Sequence, residues 1–522
     1  MKTGNASGDA RCGSERPDTW DVIVIGSGMG GSAFISRFAG SGLRILMLER
    51  GDFLKPEEEN WNPVEVLERG RYESGIEWET EEGRKFHPRV YFNVGGNSKF
   101  FGGSAFRLRE SDFERRELQE GATPAWPISY QELAPWYDEA EKAMKVHGQT
   151  GIDPSEPSRK PCPYRALEHE PAIARLAARL KDLGLHPFPL PVAIDQEPGG
   201  RCRKGSPCDG FPCRIRAKGD AENAFLRPAV KADSNITLLT NTLINRLVHD
   251  EEGRRIVEAS GTGRNGEAVS FRGKVFVLAA GAVESAVLLL RSKSSLYPRG
   301  LANGSGLIGR NFMAHNNTVL MALTPLKANR TRFQKTLALN DFYHTGHPAC
   351  PKAAGNIQTR GKIVPENLIS HPSFFVRLFR RYIARHSLDF WIMSEDAPSN
   401  ENRIEVDEHG NVKLYRRAGN LLPHNALVRH FRRILRRCGL PIVLVRQPRL
   451  TAVQHQCGTM RFGTDPCNSV LDKNCCSHQI ENLYACDASV FPSSASVNPA
   501  LTIAANAMRV GDIVLREIKR RR

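Results

Sequence analysis

The stretch DVIVIGSGMGG, residues 21–31, determines how the rest of the chain is interpreted. Its first five residues have the apolar, β-branched character of a buried strand, and a glycine-rich loop follows directly. Residues 32–39 then have a helical pattern, and residues 44–48 form a second short apolar run. A strand, a glycine loop, a helix and a second strand make a βαβ unit, so this part of the chain is predicted to begin an α/β nucleotide-binding domain.

Each glycine of the loop has its own physical task in a dinucleotide site. Gly26 permits a tight turn, Gly28 lets the backbone approach a pyrophosphate, and Gly31 lets the helix pack on the strand. Glu49 ends the second strand, where a carboxylate can accept hydrogen bonds from a ribose diol. The alternative, a purely structural glycine turn, leaves this acidic residue unexplained. The pattern therefore predicts an adenine dinucleotide, and NAD and FAD fit it equally well.

A second segment of the same architecture occurs in the middle of the chain. Residues 274–278, KVFVL, have the pattern of a buried strand and lead into AAGA at residues 279–282. A helical pattern follows over residues 283–291, and residues 235–248 alternate like strands. The nucleotide-binding domain is therefore predicted to be discontinuous.

Composition and charge exclude several classes of protein. The chain has 522 residues, 40% of them hydrophobic and 25% charged, which is typical of a folded globular protein. No run reaches the roughly 18 apolar residues of a membrane helix, and the N-terminus lacks a secretory signal, so we predict a cytoplasmic protein without a membrane span. The net charge is +16, but arginine-rich stretches such as residues 427–437 have a helical pattern with an apolar face opposite the charges. Without a recognition motif, this predicts a solvated face and no nucleic-acid partner.

The twelve cysteines are not expected to form a metal site. They are spread along the chain without a secretory signal, which favours reduced thiols. Cys202, Cys208 and Cys213 are the closest group, but their spacing differs from the paired short spacings of zinc sites. We predict a compact loop there, with free thiols or an occasional disulfide, and no bound metal.

Four further segments, together with the glycine loop, carry a family resemblance. They are VGGNS at 94–98, WPISY at 126–130, GLIGRN at 306–311, and the region 455–502. In this order and spacing, the chain from Asp21 to Asp512 resembles the glucose-methanol-choline (GMC) oxidoreductases, flavoenzymes that oxidise alcohols. It looks most similar to the bacterial branch near pyranose oxidases and C-glycoside oxidases, with aminoglycoside-modifying alcohol dehydrogenases as another branch. The resemblance implies FAD in place of NAD.

Two C-terminal residues are candidates for the chemistry. Removing hydride from an alcohol carbon requires removal of the hydroxyl proton, which suits the imidazole of His455, and an amide such as Asn498 can orient the same hydroxyl. The resemblance implies that both face the flavin, with His455 as the catalytic base. The alternatives are a structural histidine and an ordinary turn before Pro499. His315 is expected to have a structural or supporting role.

The resemblance also implies a set of cofactor contacts. In addition to Glu49 and the catalytic Asn498, they are Gly26, Gly28, Met29, Gly30, Gly31, Arg50, Gly96, Asn97, Ser98, Ile244, Ala280, Gly281, Asp487, Pro499 and Thr502. A plain turn is the alternative for Asn97 and Ser98, and a strand-end cap is the alternative for Asp487. Some relatives tether the flavin to a histidine, and Phe100 occupies that position here, so we predict noncovalent FAD.

The predicted fold is α/β, or α+β overall, with two domains. A Rossmann-type FAD-binding domain is assigned to residues 19–120, 200–315 and 451–522. A substrate-binding domain, for which the resemblance implies an antiparallel sheet, is assigned to residues 121–199 and 316–450. Residues 1–18 are predicted to be a disordered leader.

The predicted activity is oxidation of a CH–OH group of a sugar, glycoside or related polyol by hydride transfer to flavin. Electrons then leave to oxygen, a quinone or a protein carrier, and the sequence does not choose among these acceptors or fix the oligomeric state. Alternatives are an aminoglycoside or other alcohol dehydrogenase, a nonredox flavin-containing lyase or isomerase, and a basic binding protein with a vestigial cofactor. The positive net charge favours neutral or anionic glycosides unless local acidic residues override it. Further candidates for substrate contact are Gln334, Lys335, Glu395 and Asp396.

Overall fold

The computed structural model describes residues 19–344, 355–447 and 453–522, and the predicted leader lies outside these ranges. The α-helices within them are α1 Met29–Ile35, α2 Tyr130–Met144, α3 Pro171–Asp182, α4 Arg227–Ala232, α5 Ala282–Arg291, α6 Phe374–Leu378, α7 Arg380–His386, α8 Leu421–Arg437 and α9 Ala500–Arg521.

The strands in the same residues are β1 Thr19–Ile25, β2 Ile45–Leu48, β3 Trp78–Thr80, β4 Lys85–Phe86, β5 Arg116–Glu117, β6 Ala122–Thr123, β7 Val146–Gly148, β8 Tyr164–Arg165, β9 Phe188–Pro189, β10 Val192–Ala193, β11 Ile236–Leu239, β12 Leu243–His249, β13 Ile256–Thr262, β14 Ala268–Leu278, β15 Asn316–Leu323, β16 Leu337–Leu339, β17 Asn356–Thr359, β18 Ser387–Ser394, β19 Arg403–Val406, β20 Val412–Tyr415, β21 Ile442–Arg446 and β22 Leu483–Ala485.

The largest sheet is the predicted nucleotide-binding sheet. Its order is β11–β2–β1–β14–β13–β12, with β22 pairing beside the end of β14. The pairs among β11, β2, β1, β14 and β22 are parallel, whereas β12 and β13 extend the sheet as an antiparallel hairpin. The apolar residues of β1 and β2 are almost completely buried, as expected for parallel strands covered on both faces. The βαβ unit and the discontinuous Rossmann-type fold are therefore confirmed.

The parallel strands end at one edge of this sheet, which we call the nucleotide edge. The glycine loop follows β1, Glu49 follows β2, residues 279–281 follow β14, and Asp487 follows β22. Ala279 donates its amide to the carbonyl of Ile25, and Cys486 donates to Leu278, so the loops after these strands remain side by side. In open α/β sheets, this edge is where ligands bind.

The second large sheet is antiparallel, as the resemblance implied. Its order is β21–β15–β18–β17–β16–β9. On β15, Leu320 and Ala322 pack with α3 and α8 on one face, while Val319 and Met321 pack with α6 and α7 on the other. Helices therefore cover both faces of this sheet. Within the described part of the chain, no helix has the length and apolar character needed to cross a membrane.

Two contacts cross the predicted domain boundaries. Helix α2, which was assigned to the substrate domain, packs on α9 of the nucleotide-binding domain. The reason is its apolar face, because Leu133 and Tyr137 are fully buried in the core that contains β1 and β14. In addition, β3 pairs with β20, which joins a segment of the predicted FAD domain to one of the predicted substrate domain. Packing and strand pairing therefore connect the two predicted domains at these points.

Candidate active site

The glycine loop is tightly packed everywhere except at Gly28. A Cβ atom on Gly31 would lie 2.0 Å from the carbonyl oxygen of Gly26, and one on Gly30 would lie 2.3 Å from that of Cys486. A Cβ atom on Gly28 would meet nothing closer than the Ala279 carbonyl oxygen at 4.0 Å. Protein atoms therefore fill the space beside Gly26, Gly30 and Gly31, whereas Gly28 faces open space, which fits the approach of a pyrophosphate.

Helix α1 begins at this open position. Gly28 is its N-terminal cap, and no side chain caps the helix there. The amides of the first turn, beginning at Met29, are therefore not capped by a side chain, and the helix dipole is positive at this end. An anionic phosphate suits both features.

Glu49 holds the loop and keeps capacity for a ligand. Its Oε2 accepts hydrogen bonds from the amide of Ser27 at 3.0 Å and from the Ser27 hydroxyl at 2.6 Å, and its Oε1 accepts from the Gly51 amide at 2.9 Å. Burial raises the pKa of Glu49 although these bonds oppose it. A carboxylate offers about four acceptor positions, so Oε1 can still accept from a ribose hydroxyl. The residues present thus fit an adenine dinucleotide.

Arg50, predicted beside the cofactor, points toward protein groups. Its guanidinium carbon lies 3.9 Å from the centre of the Phe92 ring, and one of its nitrogens is 3.8 Å from a carboxylate oxygen of Glu284. Ile244 is buried on β12, so a cofactor contact by this residue would involve its backbone.

Asp487 joins the ends of β14 and β22. Its Oδ2 accepts from the Gly281 amide at 2.9 Å and from the Ser285 hydroxyl at 2.6 Å, and its Oδ1 accepts from the Ser489 amide at 2.8 Å. The side chain is buried and these bonds cap the end of β22, while a cofactor contact by Asp487 stays a prediction. It fixes residues 279–281 at the nucleotide edge, so a cofactor contact by Ala280 or Gly281 involves their backbone.

The second glycine-rich segment lies against the first. A Cβ atom on Gly96 would be 3.3 Å from the Cα of Gly28. The side chains of Asn97 and Ser98 bond to the protein: Asn97 to the backbone of Arg89 and Tyr91, and Ser98 to Gly95 O and Ala221 N. These side-chain bonds brace a turn, and a cofactor contact by Asn97 or Ser98 stays a prediction.

His455 is held by a second histidine. It has a left-handed backbone (φ 57°), and its Nδ1 lies 2.9 Å from Nδ1 of His315, whose Nε2 lies 2.9 Å from the carbonyl oxygen of Ser494. A carbonyl only accepts, so Nε2 of His315 carries the hydrogen, and Nδ1 of a neutral His315 is an acceptor. His455 therefore donates from Nδ1, which leaves its Nε2 without a hydrogen.

Both imidazoles are neutral at neutral pH. Burial lowers the pKa of His315. Burial, with a smaller contribution from His315, lowers the pKa of His455 to about 3. Since each ring carries only one hydrogen, the pattern of donors and acceptors given above holds across the physiological pH range.

The amide of Asn498 is oriented by Gln358. The Nε2 of Gln358 donates to Oδ1 of Asn498 at 2.9 Å, and the Oε1 of Gln358 accepts a hydrogen bond from the hydroxyl of Ser104 at 2.8 Å. The carbonyl side of the Asn498 amide is thus directed to Gln358, and its Nδ2 remains as a donor. We call His315, His455, Gln358 and Asn498 the His455–Asn498 wall.

The antiparallel sheet brings the parts of this wall together. His315 directly precedes β15, and Gln358 lies on β17. These strands flank β18, where Met393 lies opposite both Asn317 and Asn356. Ser494, which fixes His315, belongs to the same C-terminal segment as Asn498. Pro499 caps α9, and the Thr502 hydroxyl is 2.8 Å from that of Tyr137, so both predicted cofactor contacts lie on the anchored start of this helix.

Glu395 and Asp396 support this C-terminal segment from behind. Glu395 accepts a hydrogen bond from the Ala495 amide at 3.0 Å and pairs with Arg116 at 2.5 Å, and Asp396 pairs with Arg416 at 3.0 Å. Burial raises the pKa of both carboxyls. Both side chains are buried and bonded to protein groups. Neither carboxylate is therefore open to a substrate, although both were candidates for substrate contact.

Gln334 and Lys335 are likewise buried. Gln334 donates to Asp389 at 2.8 Å. Lys335 donates to Asp209 at 2.9 Å and lies 3.0 Å from Sγ of Cys208. In the loop predicted around Cys202, Cys208 and Cys213, the amide of Gly210 donates to the carbonyl of Phe100 at 2.9 Å, so this loop packs beside the second glycine-rich segment. Among the described residues, we find no group of three or more histidine, cysteine, aspartate or glutamate side chains placed to hold a metal.

Gln358 and Ser104 were missed by the sequence analysis. A glutamine on a short strand and a serine after two glycines have no distinctive spacing, and their 254-residue separation hides the hydrogen bond between them.

Phe100 stacks on Tyr91 with ring centres 3.9 Å apart and carries no nucleophile, which supports the prediction of noncovalent cofactor binding.

Comparison with known proteins connects this geometry to a family. The N-terminal and C-terminal models of the GMC oxidoreductases match residues 21–317 and 441–507. The chain is 30% identical to paromamine 6′-oxidase of Streptomyces fradiae, over 95% of this chain and 92% of the relative. It is 32% identical to 6‴-hydroxyparomomycin C oxidase of Streptomyces lividus, over 94% and 90%. Fructose dehydrogenase large subunit of Gluconobacter japonicus is 26% identical, over 96% and 98%.

Solved structures share the fold over nearly the full length. Pyridoxine 4-oxidase from Mesorbium loti superposes with a TM-score of 0.64 at 18% identity, covering 95% of this chain and 99% of that one. A formate oxidase of Aspergillus oryzae RIB40 gives a TM-score of 0.65 at 15% identity, covering 97% and 100%. The resemblance noted in the sequence is thus confirmed: this chain belongs to the GMC oxidoreductase family and is an FAD-dependent oxidoreductase acting on CH–OH donors.

Proposed function

We propose that this protein oxidises a hydroxyl-bearing carbon of a sugar or glycoside, and that His455 and Asn498 share the reacting hydroxyl. One observation carries the proposal. Within the described residues, Nε2 of His455 and Nδ2 of Asn498 have no protein partner, although the opposite atoms of both side chains are fixed by His315 and Gln358. One free acceptor and one free donor are what an alcohol group needs.

The two side chains have complementary roles. Nε2 of His455 accepts the hydroxyl proton, and Nδ2 of Asn498 donates a hydrogen bond to the hydroxyl oxygen. Bound FAD would supply the hydride acceptor, with Glu49, the glycine loop and the start of α1 holding its adenine and pyrophosphate portions. As the carbonyl forms, the donor from Asn498 continues to orient its oxygen.

The low pKa of His455 affects when the proton moves. Its imidazole is neutral and accepts a proton without prior deprotonation, because burial and His315 lower its pKa to about 3. It is also a weak base, far too weak to hold an alcohol proton in a stable alkoxide pair. The proton is therefore expected to leave the hydroxyl together with the hydride, not in a separate earlier step.

For the substrate class, we propose an amino-sugar glycoside oxidised at its hydroxymethyl carbon. Both Streptomyces relatives are named as oxidases of an aminoglycoside, and both names place the reaction at a position numbered six. In a hexopyranosyl ring, position six is the exocyclic hydroxymethyl carbon. The net charge of +16 favours neutral or anionic glycosides instead. Similarity over nearly the whole of both chains is the stronger argument, because a local site can differ from the global charge.

The decisive experiment is anaerobic mixing of the FAD-loaded protein with a substrate panel. The panel contains paromamine, its 6′-deoxy analogue, glucose, a methyl glucoside, fructose and choline. We expect paromamine to bleach the long-wavelength flavin band and its 6′-deoxy analogue to leave the band unchanged. Bleaching by glucose or the glucoside alone would replace the amino-sugar assignment with a neutral glycoside. No bleaching by any member would favour the lyase alternative.

Three further properties are part of this proposal: noncovalent FAD, a cytoplasmic location, and an acceptor that is oxygen, a quinone or a protein carrier. Acid precipitation should release all flavin into the supernatant, because Phe100 carries no nucleophile for a tether. One sample of the reduced protein is mixed with oxygen and a second sample with a soluble quinone. The acceptor that restores the yellow flavin band faster identifies the acceptor class. Fractionation of cells that express the protein would test its location.

A further inference from the structure

Helices α6 and α7 expose an unusual row of apolar side chains on the outside of the antiparallel sheet. Phe374, Phe375, Leu378, Phe379 and Tyr382 are between 42% and 70% exposed. Phe379 lies between the end of α6 and the start of α7, and the spacing of one, three and four residues places the five side chains on the same side of this segment. We call them the Phe374–Tyr382 patch. Large apolar patches of this kind mark interaction sites on soluble proteins.

The opposite face of the same helices is anchored in the protein. Val376, Ile383 and Ala384 are buried in a core with Val319 and Met321 of β15. These other residues of α6 and α7 therefore already cover the apolar side chains on this face of the sheet. Nothing in the packing of the sheet requires five more large apolar residues, so the patch is available to a partner outside the chain.

The patch is strongly basic. Arg377, Arg380, Arg381 and Arg385 lie on the same two helices, and residues 367–388 contain no aspartate or glutamate. None of these arginines pairs with a carboxylate within the described residues, and Arg377 and Arg380 instead donate to backbone carbonyls. The neighbouring turn at residues 365–368 contains one acidic residue, Glu366, and Glu65 of the segment that contacts this turn pairs with Arg69 and Arg71.

A neighbouring loop extends the patch with the same chemistry. Residues 324–332 are joined to α7 by backbone hydrogen bonds, from Thr324 N to the His386 carbonyl at 3.2 Å and from Asn329 N to the Arg385 carbonyl at 2.9 Å. Leu326 is fully exposed at the tip of this loop. The exposed cations Lys327, Arg330 and Arg332 follow it in the same loop.

We propose that the Phe374–Tyr382 patch docks this protein on an anionic lipid surface. Aromatic and aliphatic side chains insert at the boundary between headgroups and acyl chains, while surrounding arginines bind anionic headgroups. A second copy of the chain is a poorer occupant. In a symmetric dimer the patch would face itself and bring two sets of unpaired arginines together without a carboxylate.

Docking at this place leaves the catalytic chemistry accessible. Strand β15 spans eight residues, from the end next to His315 to the end that contacts α7. At about 3.3 Å per residue, β15 is about 26 Å long, and α6 and α7 pack on Val319 and Met321 in its middle and reach its far end, away from His315. Substitutions in the patch should therefore change membrane binding without changing turnover of a small substrate.

The test is flotation of the FAD-loaded protein with vesicles of phosphatidylcholine alone or of phosphatidylcholine mixed with phosphatidylglycerol. We expect binding to the mixed vesicles that weakens as salt is raised. The double variant Phe375→Ser/Phe379→Ser keeps every charge and should bind about tenfold more weakly or worse. The double variant Arg381→Gln/Arg385→Gln should lose most of the salt-sensitive part.

Matched control variants on α8 separate docking from general stickiness. Leu422→Ser removes an exposed apolar side chain, and Arg433→Gln/Arg437→Gln removes two exposed cations. Both should bind vesicles like the unaltered protein. An equal loss in the α8 arginine variant would reduce the effect to net charge and overturn the proposal. No vesicle binding by the unaltered protein would also overturn it, and a serine variant that instead abolishes an oligomer in size-exclusion chromatography would assign the patch to self-association.

Discussion

At the nucleotide edge, the groups that face the ligand are mostly backbone atoms of short local segments, whereas at the His455–Asn498 wall they are side-chain atoms from segments far apart in the chain. The glycine loop works because Gly28 has no side chain and the nearest atom is 4.0 Å from where its Cβ would be. The wall works because His315 and Gln358 occupy one polar atom each of His455 and Asn498.

This difference predicts different ways to break each region. The nucleotide edge is sensitive to added volume, since a single Cβ collides with a carbonyl or with the ligand. The wall is sensitive to hydrogen-bond direction, since volume can be kept while a donor or acceptor is removed. Substitutions that change only one of these properties therefore test the comparison.

The largest effect is expected at His455. His455→Ala should retain the flavin spectrum and slow anaerobic flavin reduction by a factor on the order of 100 or more, the scale of general-base loss. Stopped-flow reduction by the substrate found in the panel measures this. Unchanged reduction would remove the assigned role, whereas loss of the flavin would show that the residue supports the fold.

The glycine loop offers a matched pair of variants. Gly28→Ala should leave the melting temperature of the cofactor-free protein nearly unchanged but weaken FAD binding on the order of tenfold or more, because the added methyl group enters the space of the pyrophosphate. Gly31→Ala should destabilise the protein itself, since the Cβ would lie 2.0 Å from the Gly26 carbonyl oxygen. Fluorescence titration of FAD and thermal unfolding separate the two. Equal melting temperatures would contradict the packing argument.

A smaller effect is expected at His315. In His315→Phe the ring volume is kept but the acceptor for His455 is lost, so we expect about a tenfold lower rate of flavin reduction. The variant also removes the contribution of His315 to the low pKa of His455. The acid limb of the pH–rate profile should therefore move to higher pH. A slower variant with an unmoved limb would mean that His315 only fills space.

Gln358→Leu tests the other half of the wall. Without the donor to its Oδ1, the Asn498 amide can rotate, and the loss of about one neutral hydrogen bond predicts roughly a fivefold lower kcat/KM. FAD retention should not change, because Gln358 bonds to Asn498 and Ser104 and not to the nucleotide edge. Ser104→Ala is the matched variant and should have a weaker effect in the same direction.

The smallest expected effect concerns stability and pH. His424 is buried between the hydroxyls of Thr318 and Ser394, and burial lowers its pKa to about 4. Below its unfolded pKa, about 6.5, the unfolded chain takes up a proton that the folded protein does not, so this contribution to stability is lost as pH falls toward 4. The free-energy cost of His424→Gln should therefore shrink by about 1 kcal/mol between about pH 7 and about pH 5.5. Urea unfolding measures it, with His409→Gln on an exposed turn as the control.

The two regions also differ in how far they were predictable. Residues 21–31 and Glu49 were located from local spacing, because a phosphate loop is one contiguous segment between a strand and a helix. His455 and Asn498 were candidates through their chemistry and a family resemblance, and their assigned roles remain predictions. Gln358 could not be predicted, since its partner is 140 residues away and its strand has ordinary composition.

The sequence alone determined the dinucleotide loop, because glycine spacing specifies its backbone conformation locally, and short motifs elsewhere in the chain carried the family resemblance that implied FAD. Only the tertiary structure showed that α2 packs on α9, that Glu395 and Asp396 are buried, and that the contact with His315 leaves Nε2 of His455 without a hydrogen. Burial and hydrogen-bond direction depend on which distant segments meet, and that is a property of the folded chain.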